Sequence, residues 1–459
     1  LKPTYSFQTR LGAAHFLNRT PKITIDRDHL LVEEASVKDV SPLVRMAATN
    51  SLRKLDSAKA IPVLTKALSD KDYRVRISAV RALASWNSIK PQKLVLSALS
   101  DKNESVGVAA SEAIKPLPDL YDPLLAAARK AKNGRIQSNL FAVALTLKPS
   151  EEIIQEIKAL FQTTKNEYHQ AQLLNSLSSA ASAHDFVTTE VLQTKSFVIK
   201  STGTQALANM LQRPEADLKV KSAIATAFQK IIQQGDPGAL GIAASALTEP
   251  SFQFKEIVKD FTFLKEAKAK LSLPKDIEAL QPLEEAIAYF EGTTKPMPLQ
   301  NSFNHPIDWK LVQTIDQNKL AKLTTNQGEV IIRLLVEEAP GSVANFVQLA
   351  DKNYFNGKFF HRVVPNFVAQ VGCNRGDGYG SEDYSIRSEF SSRRYQEGSI
   401  GMASAGKDTE GTQWFITHSP TPHLNGKYTI FAEVVMGMEV VHRLQVGDSI
   451  QSVVWVDSL

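Results

Sequence analysis

The hydrophobic positions of this chain follow a helical period in the first two thirds and a strand period in the last third. Between residues 37 and 117, three sets of apolar residues recur at intervals of 31 residues. These sets are Val44, Val75 and Val106; Ala48, Ala79 and Ala110; and Leu52, Leu83 and Ile114. Each copy contains a turn with an Asp, and another apolar helix precedes the turn. Two helices per repeat at this length predict an α-solenoid.

The combination of Asp, Val-Arg, Ala and Leu in each copy resembles the HEAT repeat, with a period shorter than its usual ~40 residues. An unrelated helical bundle is the alternative interpretation. After residue 118 the period blurs, but four later segments are predicted to be second helices of degenerate repeats: 135–145, 197–207, 220–228 and 238–247. Asp236-Pro237-Gly238 indicates a turn before the last of them.

The helical pattern sets the expected domain boundaries. Residues 1–36 lack the repeat and predict a partial or irregular N-terminal repeat, and the solenoid is expected over 37–292. An extended solenoid surface most often binds another protein, so a protein partner is expected there. Residues 293–309 contain Pro296, Pro298 and several Asn and Thr residues, which predict a linker.

Beyond the linker, residues 310–459 carry short β-rich runs. The segment 321–335 alternates around Asn326-Gln327-Gly328, which predicts a hairpin. Pro340 begins a short amphipathic helix with four apolar residues facing inward: Val343, Phe346, Val347 and Leu349. Further strands are predicted at 399–403, 413–417, 428–434 and 452–455. This order predicts a mainly-β, small closed barrel with one or two covering helices.

Two segments of this region contain the candidate chemistry. In FFHRVVPNFVAQVGC, residues 359–373, Arg362 lies among apolar and aromatic residues. Residues 398–431 lead from a Gly/Ala/Ser-rich run into Gln413, Trp414 and Phe415. The two segments resemble the signature blocks of the cyclophilin family of peptidyl-prolyl cis/trans isomerases. The resemblance covers the last third of the chain and implies catalysed rotation about X–Pro bonds.

This reaction has simple chemical requirements. Amide resonance imposes a barrier of about 18–20 kcal/mol, while trans is preferred over cis by only about 0.5–1 kcal/mol. A catalyst must hold the proline ring and stabilise the twisted amide, so it needs no nucleophile, metal or cofactor. When the amide twists, the prolyl nitrogen regains its lone pair, and a guanidinium beside it can donate a hydrogen bond.

The resemblance implies roles for individual residues. Arg362 is the expected catalytic arginine, Gln370 contacts the substrate backbone and positions the arginine, and Phe367 belongs to the same catalytic set. The expected substrate-binding residues form the proline pocket and its rim: Val368, Ala403, Ser404, Ala405, Gln413, Phe415, His423, Leu424 and Tyr428. His361 is expected to have a structural role, because isomerisation transfers no proton.

The sequence departs from the family pattern at four positions. His423 stands where a pocket-edge tryptophan is usual, and Tyr428 where a histidine is common. Ser404 replaces a rim asparagine, and Val368 replaces a methionine-like residue. These changes leave the rate and the sequence preference open. Because the tryptophan contributes to cyclosporin binding in the family, we expect weak inhibition by cyclosporin.

Charge and cysteine content exclude several function classes. A net charge of +5 over 459 residues, with no Lys/Arg block, argues against nucleic-acid binding. Cys373 is the only cysteine, which excludes an internal disulfide and Cys-based metal sites within one chain. No run approaches the ~20 apolar residues that span a bilayer. The chain begins with Leu1, which suggests that it is processed or cut from a longer one.

Two functions follow as hypotheses. In the first, an isomerase acts as a foldase on X–Pro bonds of peptides or folding proteins, and the solenoid recruits protein clients. In the second, the protein is a scaffold whose barrel recognises proline-containing segments with little turnover. The fusion of HEAT repeats with a cyclophilin-like domain resembles bacterial envelope proteins, so a periplasmic or cell-envelope location is expected, with the cytoplasm as the alternative.

Overall fold

The structure, a computed structural model, describes residues 1–20, 29–299, 303–380 and 382–458. The chain divides into two compact units, Leu1–Ser150 and Glu151–Leu459. The second unit therefore contains part of the predicted solenoid together with the β-rich region. The helices described in the first unit are α1 Phe7–Arg19, α2 His29–Lys38, α3 Pro42–Ser51, α4 Ser57–Ala67, α5 Tyr73–Leu83, α6 Ile89–Ser97, α7 Glu104–Ala113, α8 Tyr121–Lys130 and α9 Gly134–Leu147.

The repeat predicted from the sequence is present in the first unit. Helices α3, α5 and α7 begin at Pro42, Tyr73 and Glu104, each 31 residues after the one before. All nine repeat residues are buried. The small Ala at the middle of each helix lets α5 pack closely between α3 and α7.

Buried ion pairs join successive repeats of the first unit. Arg45 of α3 binds Asp70 with Nε–Oδ2 2.7 Å, and Arg76 of α5 binds Asp101 with Nε–Oδ2 2.8 Å. Each guanidinium donates a second bond to the same carboxylate, so both pairs are bidentate. The arginine of each predicted Val-Arg pair therefore links its repeat to the next turn.

The second unit continues the helix pairs. Its helices before the β-rich region are α10 Glu151–Thr163, α11 Glu167–Leu177, α12 His184–Gln193, α13 Phe197–Met210, α14 Leu218–Gln234, α15 Pro237–Leu247, α16 Phe254–Ile257, α17 Thr262–Lys268 and α18 Ile277–Glu291. Helices α11, α13, α15 and α18 pack side by side in one row. The prediction that 220–228 is a second helix is wrong, because α14 packs on α12 and α15 as the first helix of its pair.

The β-rich region forms one curled antiparallel sheet. Its strands are β1 Leu320–Thr325, β2 Gly328–Leu334, β3 Arg362–Val364, β4 Val368–Val371, β5 Ser399–Met402, β6 Trp414–Thr417, β7 Ile430–Met436 and β8 Ile450–Val456, and its remaining helices are α19 Trp309–Val312, α20 Pro340–Asp351 and α21 Met438–Val441. The strand order is β3-β4-β6-β5-β7-β2-β1-β8. The predicted hairpin and the inward residues of the helix beginning at Pro340 are confirmed.

The expectation of a closed barrel needs correction. Strands β3 and β8 are the two edges of the sheet and are not paired with each other. Next to these edges, the segments 357–360 and 447–450 are joined by the antiparallel bridge Phe359–Ser449 and by backbone hydrogen bonds, such as Phe360 N–H to the Asp448 carbonyl at 2.7 Å. Since the strand ladder does not continue from β3 to β8, the sheet is a half-barrel, with α20 packed against its core.

Across the described parts of the chain, no helix has the length and apolar composition needed to cross a bilayer. The predicted linker has neither helix nor strand over 293–299 and 303–308, and residues 300–302 lie outside the described residues. Upstream of it, α18 ends at Glu291 and is capped by Gly292, which takes the left-handed conformation that glycine tolerates best.

Candidate active site

Arg362 and Gln370 face each other across neighbouring strands. Their Cα atoms are register partners in the β3–β4 ladder. Arg362 Nη1 donates to Gln370 Oε1 at 3.4 Å, and the guanidinium lies 6.0 Å from the centre of the Phe367 ring. The Arg362 side chain is exposed, which leaves it accessible to a bound peptide. The structure thus brings the three predicted catalytic residues together.

A chain of side-chain amides extends from Gln370 into the next strand and loop. Gln370 Nε2 donates to Gln413 Oε1 at 3.0 Å, and Gln413 Nε2 donates to the carbonyl oxygen of Gly378 at 3.0 Å. These bonds determine which end of each amide is donor and which is acceptor. Gln370 therefore presents its oxygen to Arg362, and a chain of hydrogen bonds connects the arginine to the loop that contains Gly378.

The predicted proline pocket is an apolar cluster beside Arg362. Its buried members are Val368, Tyr395, Phe415, Leu424 and Ile430, and Phe367, Ala403 and Tyr428 pack against them. Tyr395 stacks on Phe415 with ring centres 5.7 Å apart, and its hydroxyl donates to the Thr429 carbonyl at 3.1 Å. Sequence reasoning missed Tyr395, because no motif distinguishes it from an ordinary core residue.

The two substituted aromatic positions lie at the edge of this cluster. His423 is exposed and stacks on Phe367 with ring centres 5.4 Å apart and planes at 26°. Tyr428 meets Phe415 edge-on, with centres 6.0 Å apart. Both side chains therefore cover the pocket edge by ring contact. The imidazole of His423 has a smaller apolar face than the indole of a tryptophan, so it covers less of the Phe367 ring.

The predicted rim residues line a cavity of about 90 Å³. On the sheet side its walls include Gln370, Gln413 and the three rim residues Ala403, Ser404 and Ala405. The opposite wall comes from the helical part of the same unit, at Pro274, Lys275, Ile277 and Glu278. These residues precede the first strand of the sheet, which begins at Leu320, and nevertheless contribute to its binding surface. No sequence signal marked them.

Two buried ionisable groups beside the site have strongly shifted pKa values. Burial lowers the pKa of His361 to about 4, so the ring is neutral near pH 7. This agrees with a structural role for His361. Burial, with a further contribution from Glu389, raises the pKa of Glu410 to about 8. Glu410 Oε1 accepts a hydrogen bond from Thr429 Oγ1 at 2.9 Å.

Cys373 follows β4 and is buried in the loop beside Gly378. Its sulfur accepts a hydrogen bond from the Gly378 backbone N–H at 3.3 Å, and burial raises the pKa of the thiol. This protonated, enclosed thiol helps shape the loop. Within the described residues, no three His, Cys, Asp or Glu side chains converge as a metal site would require.

Comparison with known proteins agrees with this geometry. Residues 320–456 match the cyclophilin-type peptidyl-prolyl cis-trans isomerase family, and residues 30–84 match HEAT repeats. Peptidyl-prolyl cis-trans isomerase B of Bacillus subtilis is 42% identical over 133 residues, which cover 28% of this chain and 93% of the relative. A peptidyl-prolyl cis-trans isomerase of Helicobacter pylori is 39% identical over 161 residues, covering 33% of this chain and 99% of the relative.

Among solved structures, a cyclophilin-type peptidyl-prolyl cis-trans isomerase of Cryptosporidium parvum is similar at 28% identity. The match has a TM-score of 0.29 and covers 31% of this chain and 99% of that chain. The bacterial relatives are covered almost completely by the region that contains Arg362 and Gln370. This chain belongs to the cyclophilin-type peptidyl-prolyl cis-trans isomerase family, and it has HEAT repeats in its N-terminal part.

Proposed function

We propose that this protein catalyses cis/trans isomerisation of X–Pro bonds, with Arg362 as the group that stabilises the twisted amide. The observation that carries the proposal is the position of Arg362. Its guanidinium is exposed, oriented by Gln370, and adjacent to the apolar cluster of Phe367 and Phe415. A proline ring held in that cluster presents its nitrogen to the guanidinium, which then donates to the lone pair that appears as the amide twists.

The test compares the wild-type protein, Arg362→Ala and Arg443→Ala on a short Ala-Pro peptide. Arg443 is a matched control because it is also exposed and in the same domain, and it donates to the Gln327 carbonyl instead. Loss of one electrostatic donor to a transition state costs about 10²–10³-fold in rate. We therefore expect that loss for Arg362→Ala and a wild-type rate for Arg443→Ala.

Two results would contradict this function. If wild type itself shows no catalysed conversion, the protein is a scaffold that recognises proline segments. If Arg362→Ala retains the full rate, the guanidinium has no part in catalysis.

The protein is further proposed to act as a foldase whose helical repeats recruit unfolded protein clients. Support comes from the HEAT match at residues 30–84, a repeat class with extended binding surfaces. A chemically unfolded, proline-containing client with a photo-crosslinker should attach to residues 37–292 as well as to 310–459. The same client in its native state is the control. Crosslinks confined to 310–459 would refute recruitment by the repeats.

A periplasmic or cell-envelope location is also proposed, in a bacterial source. It rests on the resemblance of the repeat-plus-isomerase combination to envelope-directed bacterial proteins. Fractionation of source cells with an antibody against the chain tests it, and recovery only in the cytoplasmic fraction would overturn it.

A further inference from the structure

The loop after β4, residues 373–380, contacts four successive row helices of the same unit near their N-terminal ends. Tyr168 of α11 donates its hydroxyl to the Gly376 carbonyl at 2.8 Å. Arg375 lies 4.1 Å from the centre of the Phe197 ring at the start of α13. At α18, Glu278 Oε2 accepts from the Gly380 backbone N–H at 3.1 Å.

The fourth contact, at α15, is an ion pair. Arg375 Nη2 donates to both carboxylate oxygens of Asp236, at 2.9 and 3.0 Å, and to Asp377 Oδ2 at 2.8 Å. The side chains of Arg375 and Asp236 are 11% and 6% exposed. Replacing Arg375 would leave the buried carboxylates of Asp236 and Asp377 without this cation, whereas replacing Asp236 leaves Arg375 paired with Asp377 alone and frees the loop from α15.

A left-handed backbone conformation at Gly376 lets the loop lie close to Tyr168 of α11. Gly376 has φ +77°, a conformation that side chains disfavour, and a Cβ there would lie 2.9 Å from the Tyr168 hydroxyl. The loop therefore follows the helix ends closely, and its carbonyl groups have defined positions.

The docked loop is connected to the proposed catalytic arginine by hydrogen bonds. Arg362 donates to Gln370, and Gln370 donates to Gln413. Gln413 in turn donates to the carbonyl of Gly378 in the loop. A shift of the Gly378 carbonyl would let Gln413 and then Gln370 rotate. The last of these bonds is 3.4 Å long, so the arginine is the member most easily displaced.

We propose that the helical repeat positions the catalytic arginine, with Asp236 and Arg375 as positioning residues that act through Gly378, Gln413 and Gln370. The helices α11–α18 are then part of the isomerase machinery as well as a surface for clients. The inference rests on the proposed function, because it assigns a source for the orientation of Arg362.

Asp236→Asn tests this most cleanly. Asp236 also caps α15 by accepting from the Ala239 N–H at 3.1 Å, and asparagine caps helices about as well as aspartate. The substitution therefore removes the charge and keeps the cap. The matched control is Asp101→Asn, which removes the carboxylate that pairs with the buried Arg76 in the first unit. Like Asp236, Asp101 also accepts a hydrogen bond from a backbone N–H, that of Asn103.

NMR exchange of a short Ala-Pro peptide gives the isomerisation rate on the enzyme and the peptide dissociation constant separately. For Asp236→Asn we expect a rate about 3- to 10-fold lower, as for coupling through a packed network. The dissociation constant should stay within about twofold, because the described members of the apolar cluster that holds proline come from outside the loop 373–380. Asp236→Glu, which keeps the carboxylate, should recover most of the rate, and Asp101→Asn should leave both values at wild type.

Three outcomes would overturn the positioning role: an unchanged rate in Asp236→Asn, an equal rate loss in Asp101→Asn, or a loss of affinity that accounts for the whole rate change. If Asp236→Asn does not fold, Tyr168→Phe decides, because it removes only the hydroxyl that binds the Gly376 carbonyl. It should lower the rate in the same sense, and an unchanged rate would overturn the role. Absence of turnover in wild type would instead refute the proposed function.

Discussion

Glu410 makes the stability of the folded protein fall as the pH rises. Its carboxyl is buried next to the rim of the site, and burial raises its pKa from the ordinary 4.5 to about 8 in the folded protein. The folded state therefore holds a proton that the unfolded state releases. The stability from this proton is fully present below pH 4.5 and is lost as pH rises through about 8.

The magnitude follows from the size of the shift. A shift of one pKa unit corresponds to about 1.36 kcal/mol, so the complete effect is roughly 5 kcal/mol. Between about pH 6 and about pH 9 the protein should lose roughly 2.5 kcal/mol of unfolding free energy through Glu410 alone. Glu410→Gln mimics the protonated carboxyl and can still accept from Thr429 Oγ1, so it should remove that part of the slope.

The assay is urea unfolding at the two pH values, together with hydrogen exchange of β5 and β7, the strands next to Glu410. Glu433→Gln is the matched control, because Glu433 lies in the same sheet and binds Arg333 and Arg393. These partners outweigh burial and lower the pKa of Glu433, so it stays ionised over this range and its removal should leave the slope unchanged. If wild type and Glu410→Gln lose the same stability between the two pH values, the reasoning about Glu410 is wrong.

Two further predictions concern the substrate site. Lys275 and Glu278 line the cavity opposite Ala403. We therefore compare kcat/KM for peptides with a lysine near the proline to kcat/KM for peptides with a glutamate there: Glu278→Gln should lower this ratio by about 2- to 5-fold, and Lys275→Gln should raise it. An unchanged ratio in both variants would exclude both residues from substrate contact. Cyclosporin should inhibit weakly, because the His423 ring covers less of Phe367 than a tryptophan at this position would. His423→Trp should strengthen the inhibition. Nanomolar inhibition of wild type would refute this prediction.

The sequence was sufficient for features that depend on local period and on motif. The 31-residue interval of Val44, Val75 and Val106 defines which helix faces are apolar, and those faces become the buried row. The alternation around Asn326-Gln327-Gly328 predicts its hairpin, because a two-fold period and a tight turn are local properties. The segments around Arg362 and Gln413 predict the family, because their residues are contiguous in the chain.

Other features depended on the tertiary structure, because they join residues far apart in sequence. Whether the sheet closes depends on which strands become its edges and whether those edges pair, which periodicity within one segment does not report. The pairing of α14 depends on its packing against α12 and α15, which are distant segments that its own residue pattern does not identify. Asp236 and Arg375 are 139 positions apart, and the turn signal at Asp236 does not indicate a partner in the loop. The sequence by itself therefore determined the reaction class and the helix repeat, whereas only the fold decided that the repeat binds the loop on which the orientation of Arg362 depends.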